Sequence, residues 1–249
     1  MKLHSSNPVL SRIENERSYA YATGETASFM GITSKTGLLL VIIFAISAII
    51  WTNFEQLASS VLMPLFIASS IVGFVSVLLA QFTKATAFFT LLYAVCEGIF
   101  LGTLTFLVQA YISPSIVFNA IGITFVVLGF LLFTYATGIF KVGSRFRRIV
   151  YTIMFSLVIF YFISFILSFF GLGLFALNLS PGFMIALTVG MIILASFNLL
   201  IDFDNSKRAV DMGLPKNYEW LLSLGLLVSL VWLYVEVLRL LIILASRRD

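Results

Sequence analysis

The chain is 249 residues long, 61% hydrophobic and only 10% charged, with a formal net charge of +4. Soluble domains average roughly 25% charged and 45–50% apolar residues, so this composition excludes an ordinary water-soluble fold and leaves no room for a separate soluble domain. Its 26 phenylalanines suit helices that face lipid, and one membrane domain is expected.

Residues 1–36 form a polar segment of mixed charge. The segment lacks the short apolar core and small-residue cleavage site of a secretory signal, so the first span is expected to act as an uncleaved anchor. Crossing ~30 Å of hydrocarbon takes about 20 apolar residues. Runs of that kind fall at 37–51, 61–82, 86–110, 115–139, 149–171, 183–203 and 219–245. Their hydrophobicity is continuous rather than alternating, which predicts helices and not a barrel. The expected architecture is an all-α integral membrane protein, a seven-helix bundle over residues 37–249.

The cationic loops set the expected orientation. Lys84 follows span two, Lys141, Arg145, Arg147 and Arg148 follow span four, and Lys207, Arg208 and Lys216 follow span six. The loops after spans one, three and five hold no Lys or Arg, only Glu55. The N-terminus is therefore expected in the cytoplasm. Seven spans leave the C-terminus outside, where Arg247 and Arg248 run against the rule, and a re-entrant last segment would return them inside.

Small residues recur every four positions as Ala94, Gly98 and Gly102 in span three and as Gly182, Ala186 and Gly190 in span six. That spacing lets helix backbones approach closely in lipid. The stretch Gly171–Gly182, with Asn178, Ser180 and Pro181, reads as an external loop.

Charges inside a bilayer cost on the order of 2.5–3.5 kcal/mol each, so each needs a reason. Four acids qualify. Glu97 lies in the middle of span three, one turn after Tyr93, with no cation within a turn, which predicts a neutralising partner on another helix. Glu236 lies deep in span seven, three residues before Arg239 and close enough to pair with it. Asp202 and Asp204 close span six and, being two residues apart, face about 200° from each other. Asp202 continues a polar stripe through Asn198 and Asn205 or Ser206. Asp204 follows Gly190 and Phe197 at seven-residue steps, and it can pair with Arg208. The plainer reading makes both a solvated helix end.

Enzyme chemistry is not expected. The one histidine is His4 in the polar tail, so no Ser–His dyad or HExxH zinc site can form within the spans. Cys96, the single cysteine, gives no disulfide. No Gly-rich phosphate loop appears, and span seven has no lysine for a Schiff base. The basic residues at 141–148 read as topology determinants and anionic-lipid contacts, not nucleic-acid sites. No cofactor is expected. The bilayer is the expected surrounding, with other membrane proteins as alternative partners and a monomer as the expected state.

The string Phe203-Asp204-Asn205-Ser206-Lys207 resembles the aromatic–Asp–Thr/Asn signature of the Bax inhibitor/YccA family of transmembrane proteins, and the chain is similar to its bacterial-type branch. The segment Leu233-Tyr234-Val235-Glu236-Val237-Leu238-Arg239-Leu240-Leu241 resembles that family's Leu-Tyr-hydrophobic-acid pattern in the last span. The resemblance, which covers essentially the whole chain, implies outer helices around a central seventh helix. It also implies a pH-sensitive calcium leak controlled by two acids, which by motif are Asp204 and Glu236, the latter standing where the family usually has aspartate. Channel-forming members hold an arginine in the second helix that pairs with the helix-six acid. Residues Val61–Phe82 carry no charge, so that latch is absent or replaced by Arg239 or Lys84. The connection between the two acids, with Asp211, Pro215 and Lys216, is also longer, and Glu97 and Asp202 look like features of a sub-branch.

Two carboxylates brought together in a dry bundle cannot both ionise cheaply, so such a pair titrates as a unit. Two or three carboxylates also fall short of the six to eight oxygens of a tight Ca²⁺ site. No tight metal site is expected, only passage or weak binding of Ca²⁺ at Asp204 and Glu236. The alternative is a non-conducting regulator of other membrane proteins, such as a membrane protease.

Overall fold

A computed structural model describes residues 25–53, 59–170 and 180–246. His4, Glu55, Asn178, Arg247 and Arg248, most of the polar N-terminal segment and most of the expected external loop lie outside them. The described residues form seven helices: α1 (Phe29–Thr52), α2 (Ser59–Phe82), α3 (Thr86–Tyr111), α4 (Pro114–Ala136), α5 (Ser144–Ser168), α6 (Pro181–Asp211) and α7 (Tyr218–Ala245). All seven are long and apolar enough to cross a membrane, and each falls on one of the seven runs in the sequence. The protein is an all-α integral membrane protein.

Hydroxyl groups within these helices are largely satisfied by their own backbone. Ser76 donates to the carbonyl of Val72 at 2.7 Å, Thr103 to Ile99 at 2.9 Å and Thr124 to Ala120 at 2.7 Å. A medium without water requires such internal bonding. Phe155, Phe160, Phe162 and Phe165 of α5 are exposed, as suits a lipid-facing helix. Half of the most apolar stretch of α7 is buried, against 6% of that of α5, which makes α7 the most enclosed helix.

Three of the boundaries that differ from the hydropathy reading have a visible physical reason. Helix α1 begins at Phe29 and not at 37, because Ser28 caps it by accepting from the Gly31 amide at 3.0 Å. Its polar residues are also partnered, Thr36 by the Ile32 carbonyl and Lys35 by Glu219. Helix α4 stops at Ala136, where Gly138 adopts a φ of 71° that a residue with a side chain rarely takes. Helix α6 runs on through both aspartates to Asp211. It ends in the left-handed motif of Gly213 (φ 60°), whose amide bonds to Val210 while that of Leu214 bonds to Ala209.

The described residues group into two compact units. One takes those up to Leu107 together with Asp202–Val228, the other Val108–Ile201 with the residues from Ser229 on. In the first unit α1 and α3 approach at Gly98 and Gly102, where a Cβ would lie 2.8 Å from the Ile46 Cβ and 2.9 Å from the Ser47 Cα respectively. The small-residue face of span three is thus a packing face. That of span six is not: Gly182, Ala186 and Gly190 are exposed, and a Cβ on either glycine would meet nothing within 4 Å. Helix α6 instead buries the face of Thr188, Met191, Ala195 and Leu199. In the second unit Phe197 joins α6 to Phe146 of α5 and to Phe140 of the preceding loop, with ring centroids 5.2 and 6.2 Å away.

Candidate functional site

The acids singled out by the sequence sit in four distinct settings. Two turns before the end of α6, in the first unit, Asp204 accepts a 2.7 Å hydrogen bond from the Nε of Arg208, one turn later on the same helix. This is the pairing that the four-residue spacing predicts. Asp202 is set against α7, where a Cβ on Gly225 would lie 3.6 Å from its Oδ1. A residue with no side chain thus lets a carboxylate approach the last helix. Of the polar stripe beside Asp202, Asn198 donates to Ser229 at 2.7 Å within the second unit, and Ser206 donates to the Asp202 carbonyl at 2.9 Å.

Glu236, in the second unit, has a side chain only 3% exposed. Its Oε1 accepts from the Trp232 indole at 3.3 Å and its Oε2 lies 3.3 Å from Nη1 of Arg239. Both partners lie within one turn of α7. The guanidinium is about half exposed, so this cation reaches out of the helix packing while its acid stays inside, as a snorkelling arginine does.

For Glu97 the sequence predicts a partner from another helix. Glu97 is hydrogen-bonded to Tyr93, one turn earlier on α3. The ring of Tyr93 is buried and lies 3.9 Å from where a Cβ on Gly73 of α2 would be.

Sequence reasoning missed the most completely partnered acid. Glu219, in the first turn of α7, is 1% exposed. It accepts from the amide and hydroxyl of Ser28 at 2.8 and 3.1 Å, and it forms an ion pair with Lys35 of α1. Glu219 stands at the first position of the last apolar run, where an acid is ordinarily solvated. Only the adjacency of the first and last helices, invisible to local hydropathy, shows otherwise.

Among the described residues, no group of three or more His, Cys, Asp or Glu side chains is placed to hold a metal ion. What the arrangement offers chemically is a set of acids within or beside apolar helices, of which Glu97, Asp204, Glu219 and Glu236 are tied to donors close by. No curated protein matches the sequence. The family model described as Bax inhibitor 1 like matches residues 7–246, nearly the whole chain, and the protein belongs to that family.

Proposed function

We propose that the protein is a pH-sensitive cation leak, passing Ca²⁺ without catalysis and without a resident cofactor. In this reading the carboxylates of Asp204 and Glu236, one on each of the last two helices, set the conducting state by gaining and losing protons. The observation that carries the reading is Glu236, an acid 3% exposed on the most enclosed helix of a seven-helix membrane protein. Intramembrane acids are costly and mark ion or proton pathways. Its arginine is half exposed and can move without disturbing the core, which suits a switch. Weak Ca²⁺ contact at Asp204 and Glu236 fits passage better than storage, since so few carboxylate oxygens cannot complete a tight site. The orientation proposed is cytoplasmic for the N-terminus, in a bacterial inner membrane, with the monomer as the working unit.

Reconstitution in liposomes tests this. Ca²⁺ flux should vary with pH, and Asp204→Asn or Glu236→Gln should alter that variation. Absence of flux at every pH between about 5 and 8, where carboxylates displaced by burial titrate, would sink the reading.

The outward face of Gly182, Ala186 and Gly190 favours a second reading, that the protein regulates another membrane protein without conducting. Such a face suits a helix from outside the chain. A stoichiometric partner captured by crosslinking in native membranes, together with absent flux, would support it over the first.

A further inference from the structure

A glutamate in the first turn of a helix is ordinarily wet and weakly held. Glu219 is buried, which is tolerable for a carboxylate only when donors surround it. They do. One oxygen takes the Ser28 amide and hydroxyl, the other the Lys35 ammonium. The Ser28 hydroxyl also accepts from the Gly31 amide, so a single side chain caps α1 and donates to α7. A Cβ on Gly31 would overlap the Glu219 carboxylate, so the carboxylate rests on the first turn of α1. There the partial positive charge of the helix N-terminus favours an anion. Lys35 in turn lies 5.3 Å over the Trp220 ring. Around this centre the backbone is tied twice, Ala27 N–H to the Leu214 carbonyl at 2.7 Å and Lys216 N–H to the Glu25 carbonyl at 3.0 Å. One turn further along both helices, Ser223 donates to the Ile32 carbonyl at 2.9 Å.

We infer that Glu219 and Lys35 form a clasp that locks the first turn of α7 onto the first two turns of α1, and that they are positioning residues for the cation leak. The effect on flux rests on the function proposed above, whereas the clasp itself does not. Helix α7 is continuous from Tyr218 to Ala245, so the turn that the clasp holds belongs to the same rod that carries Glu236. Fixing its start gives the last helix a reference point on α1. The peptide Glu25–Ala27 is held at the same place, which ties the entry of the chain into the membrane to the position of its last helix.

The test uses the full chain with Cys96→Ala, carrying Glu25→Cys and Lys216→Cys. These two positions are paired across the bridge centred on Thr26 and Pro215, and both are exposed. In proteoliposomes with a fixed oxidant the disulfide should form readily. Lys35→Met or Glu219→Leu should slow it at least about tenfold, the scale of losing a charge-assisted hydrogen bond, and Lys35→Arg should retain the parent rate. Lys35→Met keeps an apolar stem and decides the question if Glu219→Leu does not fold. Unchanged disulfide rates in Lys35→Met overturn the clasp. Slowed disulfide formation together with loss of the pH dependence of Ca²⁺ leak supports the whole inference. Slowed formation with an unaltered pH profile overturns the positioning role. A parent that passes no Ca²⁺ counts against the leak and leaves the disulfide rates to decide the clasp.

Discussion

Ser47 of α1 donates its hydroxyl hydrogen to the main-chain carbonyl of Gly98 in α3 at 2.9 Å. Such a bond between two helices requires their backbones to come close, and Gly98 and Gly102 allow it by presenting no side chain. Lipid is as apolar as leucine, so no hydrophobic force draws two spans together. Close backbone contact and an interhelical hydrogen bond are what join α1 to α3.

Alanine at position 102 should therefore destabilise the protein. Its Cβ would sit 2.9 Å from the Ser47 Cα and 3.1 Å from the Ser47 carbonyl oxygen, and backbone cannot rotate aside. Overpacking of this kind costs about 1–3 kcal/mol, partly offset by the better helix propensity of alanine. Ser47→Ala should cost less, on the order of 0.6 kcal/mol for one interhelical hydrogen bond in lipid. Thermal unfolding in detergent reads the ranking. A Gly102→Ala protein that melts with the parent would contradict this packing.

Glu236 and Arg239 should respond unequally to substitution. Loss of the arginine leaves a buried carboxylate with only the Trp232 indole, whereas loss of the acid leaves a cation that already reaches outward. Arg239→Met should cost about 1–3 kcal/mol, below the 3–5 kcal/mol of a fully buried pair because the guanidinium is half exposed. Glu236→Gln should cost less, and the double variant should recover part of what Arg239→Met loses. Denaturation of the four proteins gives the coupling. Additive costs would mean that the 3.3 Å contact contributes nothing.

The sequence is legible wherever the determining interaction is local. Seven apolar runs become seven helices because hydropathy is a property of each segment alone. The pairs Asp204–Arg208 and Glu236–Arg239 follow from helical spacing and are present at that spacing. The hydrogen bond between Tyr93 and Glu97 is likewise one turn along a single helix. Spacing fails where a neighbour decides. Gly98 and Gly102 meet α1, yet the same pattern at Gly182 and Gly190 meets open space. The burial of Glu219 rests on an ion pair with Lys35 across 184 positions, and no window along the chain contains both.

Gly225 offers the sharpest contrast with Gly102. Both are helical glycines of the same unit, yet a Cβ on Gly225 would meet the Asp202 Oδ1 at 3.6 Å and Cγ at 3.9 Å, ordinary contact distances. Alanine in a helix interior is favoured over glycine by roughly 0.5–1 kcal/mol, because glycine loses more freedom on folding. Gly225→Ala should therefore raise the melting temperature where Gly102→Ala lowers it. Gly225→Leu needs the space that the Asp202 carboxylate occupies, so it should lower the melting temperature again. Parallel melts of the three variants in one detergent decide the matter. A Gly225→Ala protein melting below the parent would mean that Asp202 lies closer to α7 than ordinary contact, or that another group fills the space.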